Sequence, residues 1–242
     1  MKKLFIYISA AVFSLYLIGA GIWSATQAHR HEYAGLRVVV TDSARVQYLT
    51  SAEISKSIQK HIPLKYGMRL SQTDADTIES FLHRNRLIAE VECYKTPSGL
   101  LRVDVAQCVP ILRVFGTDGS YFVDEHGKTI PDMLPVAVHV PVATGSITSS
   151  FACEELYPFA LFLQKNDFWR AQIEQICVSA KGEVELIPRV GEHRILLGKI
   201  SDYKEKLDNL RCFYEQALSV CGWNKYKTIN LKYKNQVVAT RR

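Results

Sequence analysis

LIAEVECYKTPSGLLRVDVAQC, residues 87–108, decides what kind of domain the first half of this chain builds. Leu87 to Lys95 and Leu100 to Cys108 are strand-like, and Thr96-Pro97-Ser98-Gly99 between them is a turn tetrapeptide. A hairpin closed there sets Cys93 opposite about Val103 and Cys108 opposite about Ile88. The two thiols are then several residues out of register, too far apart for a disulfide. Upstream, Thr50-Ser51-Ala52-Glu53 spells a capping box, and Ile54, Ile58 and Ile62 put one apolar face on a short helix that Pro63 and Gly67 stop. Ser71 opens a second helix with Asp74 and Asp76 in its first turn, favourable near the positive helix end. Its stripe is Ala75, Ile78, Phe81 and Leu82. Leu36 to Val40 is a β-branched run ending in Thr41-Asp42-Ser43, and it reads as a strand. Residues 36–108 therefore run strand, helix, helix, strand, strand.

Downstream, Val109 to Phe115 reads as a strand, residues 116–120 as a turn, and Tyr121 to Pro131 as a hairpin turning at His126-Gly127. Asp124-Glu125-His126 is a turn rather than an acid–base site, because adjacent turn residues point to different faces. Val136, Val138 and Val140 alternate within Pro135 to Pro141, which predicts a strand. Phe151 to Asn166 predicts a helix broken or started near Pro158. Gln172 to Ser179 and Glu183 to Arg189 form a hairpin over Ala180-Lys181-Gly182, and Arg194 to Gly198 is a short strand. From Ser201 to about Val220 a helix carries Leu207, Leu210, Tyr214, Ala217, Leu218 and Cys221 on one core-packing face, and Gly222 ends it. Tyr226 to Ala239 reads as one final strand, with Ile229, Leu231, Tyr233 and Val237 alternating against polar residues. Its lysines protect an exposed sheet edge from indiscriminate pairing, yet such an edge can still take a partner's strand, the basic side chains choosing an acidic partner.

At the other end, Leu4 to Ala25 is an apolar run without a charge, long enough as a helix to span about 33 Å. A hydrocarbon core is ~30 Å thick, and Lys2 and Lys3 before the run suit a cytoplasmic end. The run exceeds the usual signal-peptide core and lacks a clean small-x-small cleavage site, so it reads as an uncleaved anchor. Residues 1–3 are then a cytoplasmic tail, 4–25 a transmembrane helix, 26–35 a juxtamembrane linker, 36–108 the first exported domain and 109–242 the second. His29-Arg30-His31 in the linker is too small a set for a metal site.

Composition narrows the function classes. Hydrophobic content of 48% and charged content of 22% exclude wholesale disorder. The net charge of +6 is concentrated in Lys225, Lys227, Lys232, Lys234, Arg241 and Arg242, with no Asp or Glu after Glu215. That is one basic segment, not a nucleic-acid footprint spread over a domain. Six cysteines are scattered without C-x-x-C or zinc spacing, so they read as small buried hydrophobes or, in an oxidising compartment, as disulfide formers. There is no G-x-S-x-G, no H-E-x-x-H and no Gly-rich phosphate loop, which argues against an enzyme and against a cofactor.

The βααββ order behind one anchor resembles the POTRA domain of exported bacterial proteins. Tyr121-Phe122-Val123-Asp124-Glu125-His126-Gly127 resembles the Tyr-x-Val-Asp-x-x-Gly segment that follows that domain in the FtsQ/DivIB family of bacterial cell-division proteins. The long helix followed by Ile229-Asn230-Leu231-Lys232-Tyr233 resembles the family's closing strand. The resemblance implies an α+β fold: a single transmembrane helix, a POTRA-like domain, then a mixed β domain with helices packed on an antiparallel sheet. It implies a non-enzymatic, membrane-anchored scaffold at the division septum, with its bulk periplasmic. Its last strand would bind FtsB/FtsL-like division proteins and its POTRA-like domain other divisome proteins, so helping to control septal peptidoglycan synthesis. By position, Ile229, Leu231, Lys232, Tyr233 and Lys234 carry over as the partner-binding candidates. Asn230 and Lys232 depart from the family's common Asp and Arg, and Lys does not reproduce a bidentate Arg contact. The alternatives are another exported POTRA protein that binds or chaperones polypeptides at the envelope, and an anchored enzyme whose site assembles from dispersed residues.

Overall fold

Thr50 closes the capping box that its spacing to Glu53 predicts: Glu53 N–H donates to Thr50 Oγ1 (3.2 Å) and Thr50 N–H to Glu53 Oε2 (2.8 Å). The structure, a computed structural model, describes residues 13–21, 32–41, 46–70, 73–134 and 136–242. It divides into two compact units, the first ending at Gln107 and the second beginning at Cys108.

The first unit contains β1 (Gly35–Val40), α1 (Ser51–His61), α2 (Ala75–Leu82), β2 (Ile88–Lys95) and β3 (Leu100–Gln107). Its sheet runs β1-β3-β2, with β1 parallel and β2 antiparallel to β3. Cys93 pairs with Val103 across the hairpin. Ile54 and Ile58 of α1 and Ile78 and Leu82 of α2 bury against Val91, Leu101, Val103 and Val105. Asp74 caps α2, accepting from Asp76 N–H (3.2 Å), so it precedes the first turn rather than lying inside it. Gln107 ties the end of β3 to the approach to α1: its Oε1 accepts from Tyr48 and Leu49 N–H (2.9 and 2.8 Å) and its Nε2 donates to Val46 O (3.1 Å).

Of the expected anchor, residues 13–21 are described and form an exposed helix; the remainder of 4–25 and the linker histidines lie outside the described residues. Among the described residues no helix is long and apolar enough to cross a membrane.

The second unit builds β4 (Pro110–Gly116), β5 (Gly119–Asp124), β6 (Thr129–Pro131), β7 (Val142–Gly145), β8 (Ile173–Val178), β9 (Val184–Pro188), β10 (Arg194–Gly198), β11 (Tyr226–Asn230) and β12 (Val238–Arg241). They form one sheet in the order β12-β11-β10-β9-β8-β7-β4-β5-β6. The expectation of an antiparallel sheet is corrected here, because β4–β7, β7–β8 and β10–β11 pair in parallel. The parallel pairs follow from crossovers: helices carry the chain from β7 to β8 and from β10 to β11. Helix α3 starts as Ser149–Phe151, widens to a π segment at Ala152–Leu156 and continues as Tyr157–Lys165. Pro158 has no N–H for the carbonyl four residues back, and Tyr157 N–H reaches five back to Ala152 O. Helix α4 (Asp167–Gln172) was not anticipated; Asn166 caps it by accepting from Phe168 and Trp169 N–H. Helix α5 runs Tyr203–Phe213, then a π segment Tyr214–Leu218, then Ser219–Cys221. Phe159, Leu163, Trp169, Leu207, Leu210, Tyr214 and Leu218 join Leu112, Val114, Ile176, Leu186, Ile195 and Ile229 in one core.

Three further sequence expectations are corrected. Residues 136–141 are irregular, and the strand begins at Val142, where pairing to Arg113 and Gln175 is available. Cys221 is exposed, because the extra residue of the π segment turns it away from the face of Leu207 and Leu210. Tyr226 to Ala239 is not one strand but two, β11 and β12, joined by a turn in which Asn235 adopts φ 57°. Asn and Asp tolerate this left-handed conformation better than other side chains do.

Candidate functional site

The end of the chain forms one edge of the large sheet. β11 pairs in parallel with β10, matching Arg194 to Thr228, Ile195 to Ile229 and Leu196 to Asn230. Leu231 N–H extends that ladder to Leu196 O (2.9 Å), and Asn230 Oδ1 then accepts from Lys232 N–H (2.9 Å), turning the chain out of the sheet. Gln236 N–H closes the turn on Tyr233 O, and the chain returns antiparallel as β12, with Asn230 opposite Val238 and Ile229 opposite Ala239. β12 has β11 on one side and no strand on the other among the described residues. Arg242 N–H donates inward to Lys225 O (3.3 Å). By the pleat, Val238 and Thr240 share that inward direction, and Ala239 and Arg241 turn their N–H and C=O groups outward.

The five residues predicted to meet a partner do not share one environment. Ile229 is 0% and Leu231 2% exposed, and both belong to the core, so their side chains support the edge from beneath. Tyr233, at 57% exposure, and Lys234 project from the turn. Lys232 is exposed, but its ammonium donates to Glu183 Oε2 at 2.8 Å. This hydrogen bond and charge hold the Glu183 carboxyl below the usual carboxylate range. At the far end Arg242 pairs with Glu192, so acids before β9 and before β10 brace the two ends of the final hairpin. Beside the turn lies a cleft of about 410 Å³, floored by Leu197, Gly198 and Leu231 and walled by Asp202, Glu205 and Lys206. Lys206 Nζ donates to Lys199 O (2.8 Å) and Leu197 O (3.2 Å), and burial lowers its pKa.

Sequence reasoning missed Glu183, Gly198 and β12 itself as parts of this edge. The Lys234-Asn235 pair was the available turn signal; nothing in the sequence linked Glu183 to Lys232, 49 positions away. The opposite edge is short: β6 has three residues and ends on Pro131, which has no N–H to offer.

The Tyr-x-Val-Asp-x-x-Gly segment has a structural job. Asp124 is fully buried, and its Oδ1 accepts from His126 N–H (2.9 Å) and Lys128 N–H (2.7 Å), which pins the turn between β5 and β6. Gly127 adopts φ 78° with the Tyr157 ring against it, where a Cβ would come within 3.3 Å. Tyr157 OH donates to Glu125 O (2.9 Å). None of the six cysteines forms a disulfide, and burial raises the thiol pKa of Cys93 and Cys108 to about 11. Among the described residues no group of three or more His, Cys, Asp or Glu is placed to hold a metal ion.

Two family models match the chain. A family model described as a POTRA-like domain matches residues 34–106, and one described as FtsQ/DivIB, C-terminal related, matches residues 109–240. No curated protein matches the chain. The second model spans more than half of the 242 residues and ends within β12, and the chain therefore belongs to the FtsQ/DivIB family by its C-terminal domain.

Proposed function

We propose that this protein is a non-enzymatic scaffold of bacterial cell division, held at the cytoplasmic membrane by residues 4–25, with its two folded units outside the cytoplasm at the septum. Its β12 edge adds a strand from an FtsB/FtsL-like partner to the large sheet. Its POTRA-like unit engages other division proteins, and the assembly helps to control septal peptidoglycan synthesis. The observation that carries this reading is the open outer side of β12 at the end of the nine-stranded sheet, where the region matched by the FtsQ/DivIB model ends. An unpaired strand supplies main-chain donors and acceptors in a row, which is what strand addition uses for affinity. The basic residues around it favour an acidic partner and disfavour pairing of two copies of the edge through like charge. Family membership supports the division role; the family's scaffolds work by binding, so the lack of a recognisable catalytic motif in the sequence agrees with that role.

The test removes one outward donor without touching the ladder to β11. Ala239→Pro deletes an N–H on the open side, where proline is tolerated on an edge strand. The expected outcome is loss of co-purification with the FtsB-like protein of the same bacterium, with an unchanged circular dichroism spectrum. Undiminished capture by a folded variant would sink the proposed edge. A fluorescent fusion of the full chain is expected to collect at mid-cell.

A further inference from the structure

Lys232 stands where β11 ends and the turn to β12 begins. Its aliphatic stem crosses the backbone of Gly198, the last residue of β10: a Cβ built there would lie 2.9 Å from Lys232 Cγ, at a φ of +77°. Only a residue without a side chain leaves room for the stem on that path. Beyond Gly198 the ammonium meets Glu183, just before β9, two strands further into the sheet than β11. The backbone of the same residue is held by Asn230 Oδ1. Lys232 is thus fixed at its N–H, along its stem and at its charge, whereas Tyr233 and Lys234 next to it project outward.

We propose that Lys232 is a positioning residue, seated on Gly198 and fastened by Glu183, that sets the path of the turn into β12 and so the orientation of the edge presented to a partner strand. The assignment rests on β12 being the binding edge. It divides the basic residues of the segment into two groups: Lys232 and Arg242 brace the hairpin through Glu183 and Glu192, and selection of an acidic partner falls to others such as Lys234 and Arg241.

Two measurements on the full chain in detergent test this. In the first, hydrogen exchange of the inward-facing amides of Val238, Thr240 and Arg242 is compared in wild type, Lys232→Met, Glu183→Gln and the double variant. A half-exposed ion pair is expected to change local opening by roughly two- to fivefold. Each single variant should speed exchange in β12 by that amount, and the double variant no further, because both remove the same contact. Lys232→Arg, which keeps the stem and the charge, should exchange like wild type. Unchanged exchange in all variants, or single effects that multiply in the double, would overturn the proposal. In the second, capture of the FtsB-like protein should weaken equally in Glu183→Gln and Lys232→Met. Weakening in Lys232→Met alone would make Lys232 a direct contact and overturn the assignment. If wild type captures nothing, the binding edge itself is wrong, and the bracing of β12 is then decided by the exchange data alone.

Discussion

His193 is 1% exposed, with Nε2 2.8 Å from the Tyr214 hydroxyl and its ring stacked on Trp223, just ahead of β11. Burial lowers its pKa below the ordinary imidazole value, partly offset by the polar backbone of Trp223 close by. The acid beside it, Glu192, is already paired with Arg242. The unfolded state then binds the proton more readily than the folded one, so stability is full above about pH 6.5 and falls as the pH drops below it. Urea midpoints between pH 7.5 and pH 5 are expected to fall more steeply for wild type than for His193→Phe. Parallel slopes would mean that His193 is not a source of acid sensitivity. Tyr214 adds to the argument, since its only polar partner among the described contacts is this imidazole, and burial raises its own pKa.

At the scale of elements, helix ends were the most legible feature and strand ends the least. The Thr50–Glu53 box is local, so four letters contained it, and Thr50→Ala is expected to lower the stability of the first unit by about 1 kcal/mol. The measurement is the shift in the urea midpoint of a signal from that unit, such as exchange of the α1 amides; no shift would show that the cap adds nothing to packing. The alternation of Ile229 and Leu231 belongs to a strand and both are buried, but the periodicity continued past the point where the strand stopped. What ended β11 was a hydrogen bond from the Lys232 N–H to its neighbour's side chain and a left-handed Asn235, neither visible as a change in hydropathy. The valines of 136–140 failed in the other direction: the pattern was there, but no neighbouring strand was in reach until Val142 met Arg113. The π segments of α3 and α5 likewise shift a helix face by one residue, which a fixed 3.6-residue wheel misses.

For the whole molecule, the distinction between β11 and β12 separates folding from binding. β11 contributes Ile229 to the core of the second unit, and Leu231 follows it there. β12 contributes no fully buried side chain. A chain truncated after Gln236 is expected to keep a cooperative thermal transition while losing partner capture. A chain truncated after Lys225 should lose the transition of the second unit, since each buried Leu or Ile is worth about 2–5 kcal/mol in such a core. Retention of that transition in the shorter chain would contradict the placement of β11 in the core.

By itself the sequence determined the order of the elements in the first unit, the hairpin register that sets Cys93 against Val103, the buried faces of the helices and the membership of the family. These rest on local rules: caps, turns and periodicity act over a few residues and leave their mark in adjacent letters. Only the tertiary structure decided which strands lie side by side, that three of the pairings run parallel, and that the chain ends on a separate edge strand. It alone brought Glu183 and Gly198 to Lys232. Partners far apart in the chain are chosen by the packing of the whole sheet, and no window of sequence contains that choice.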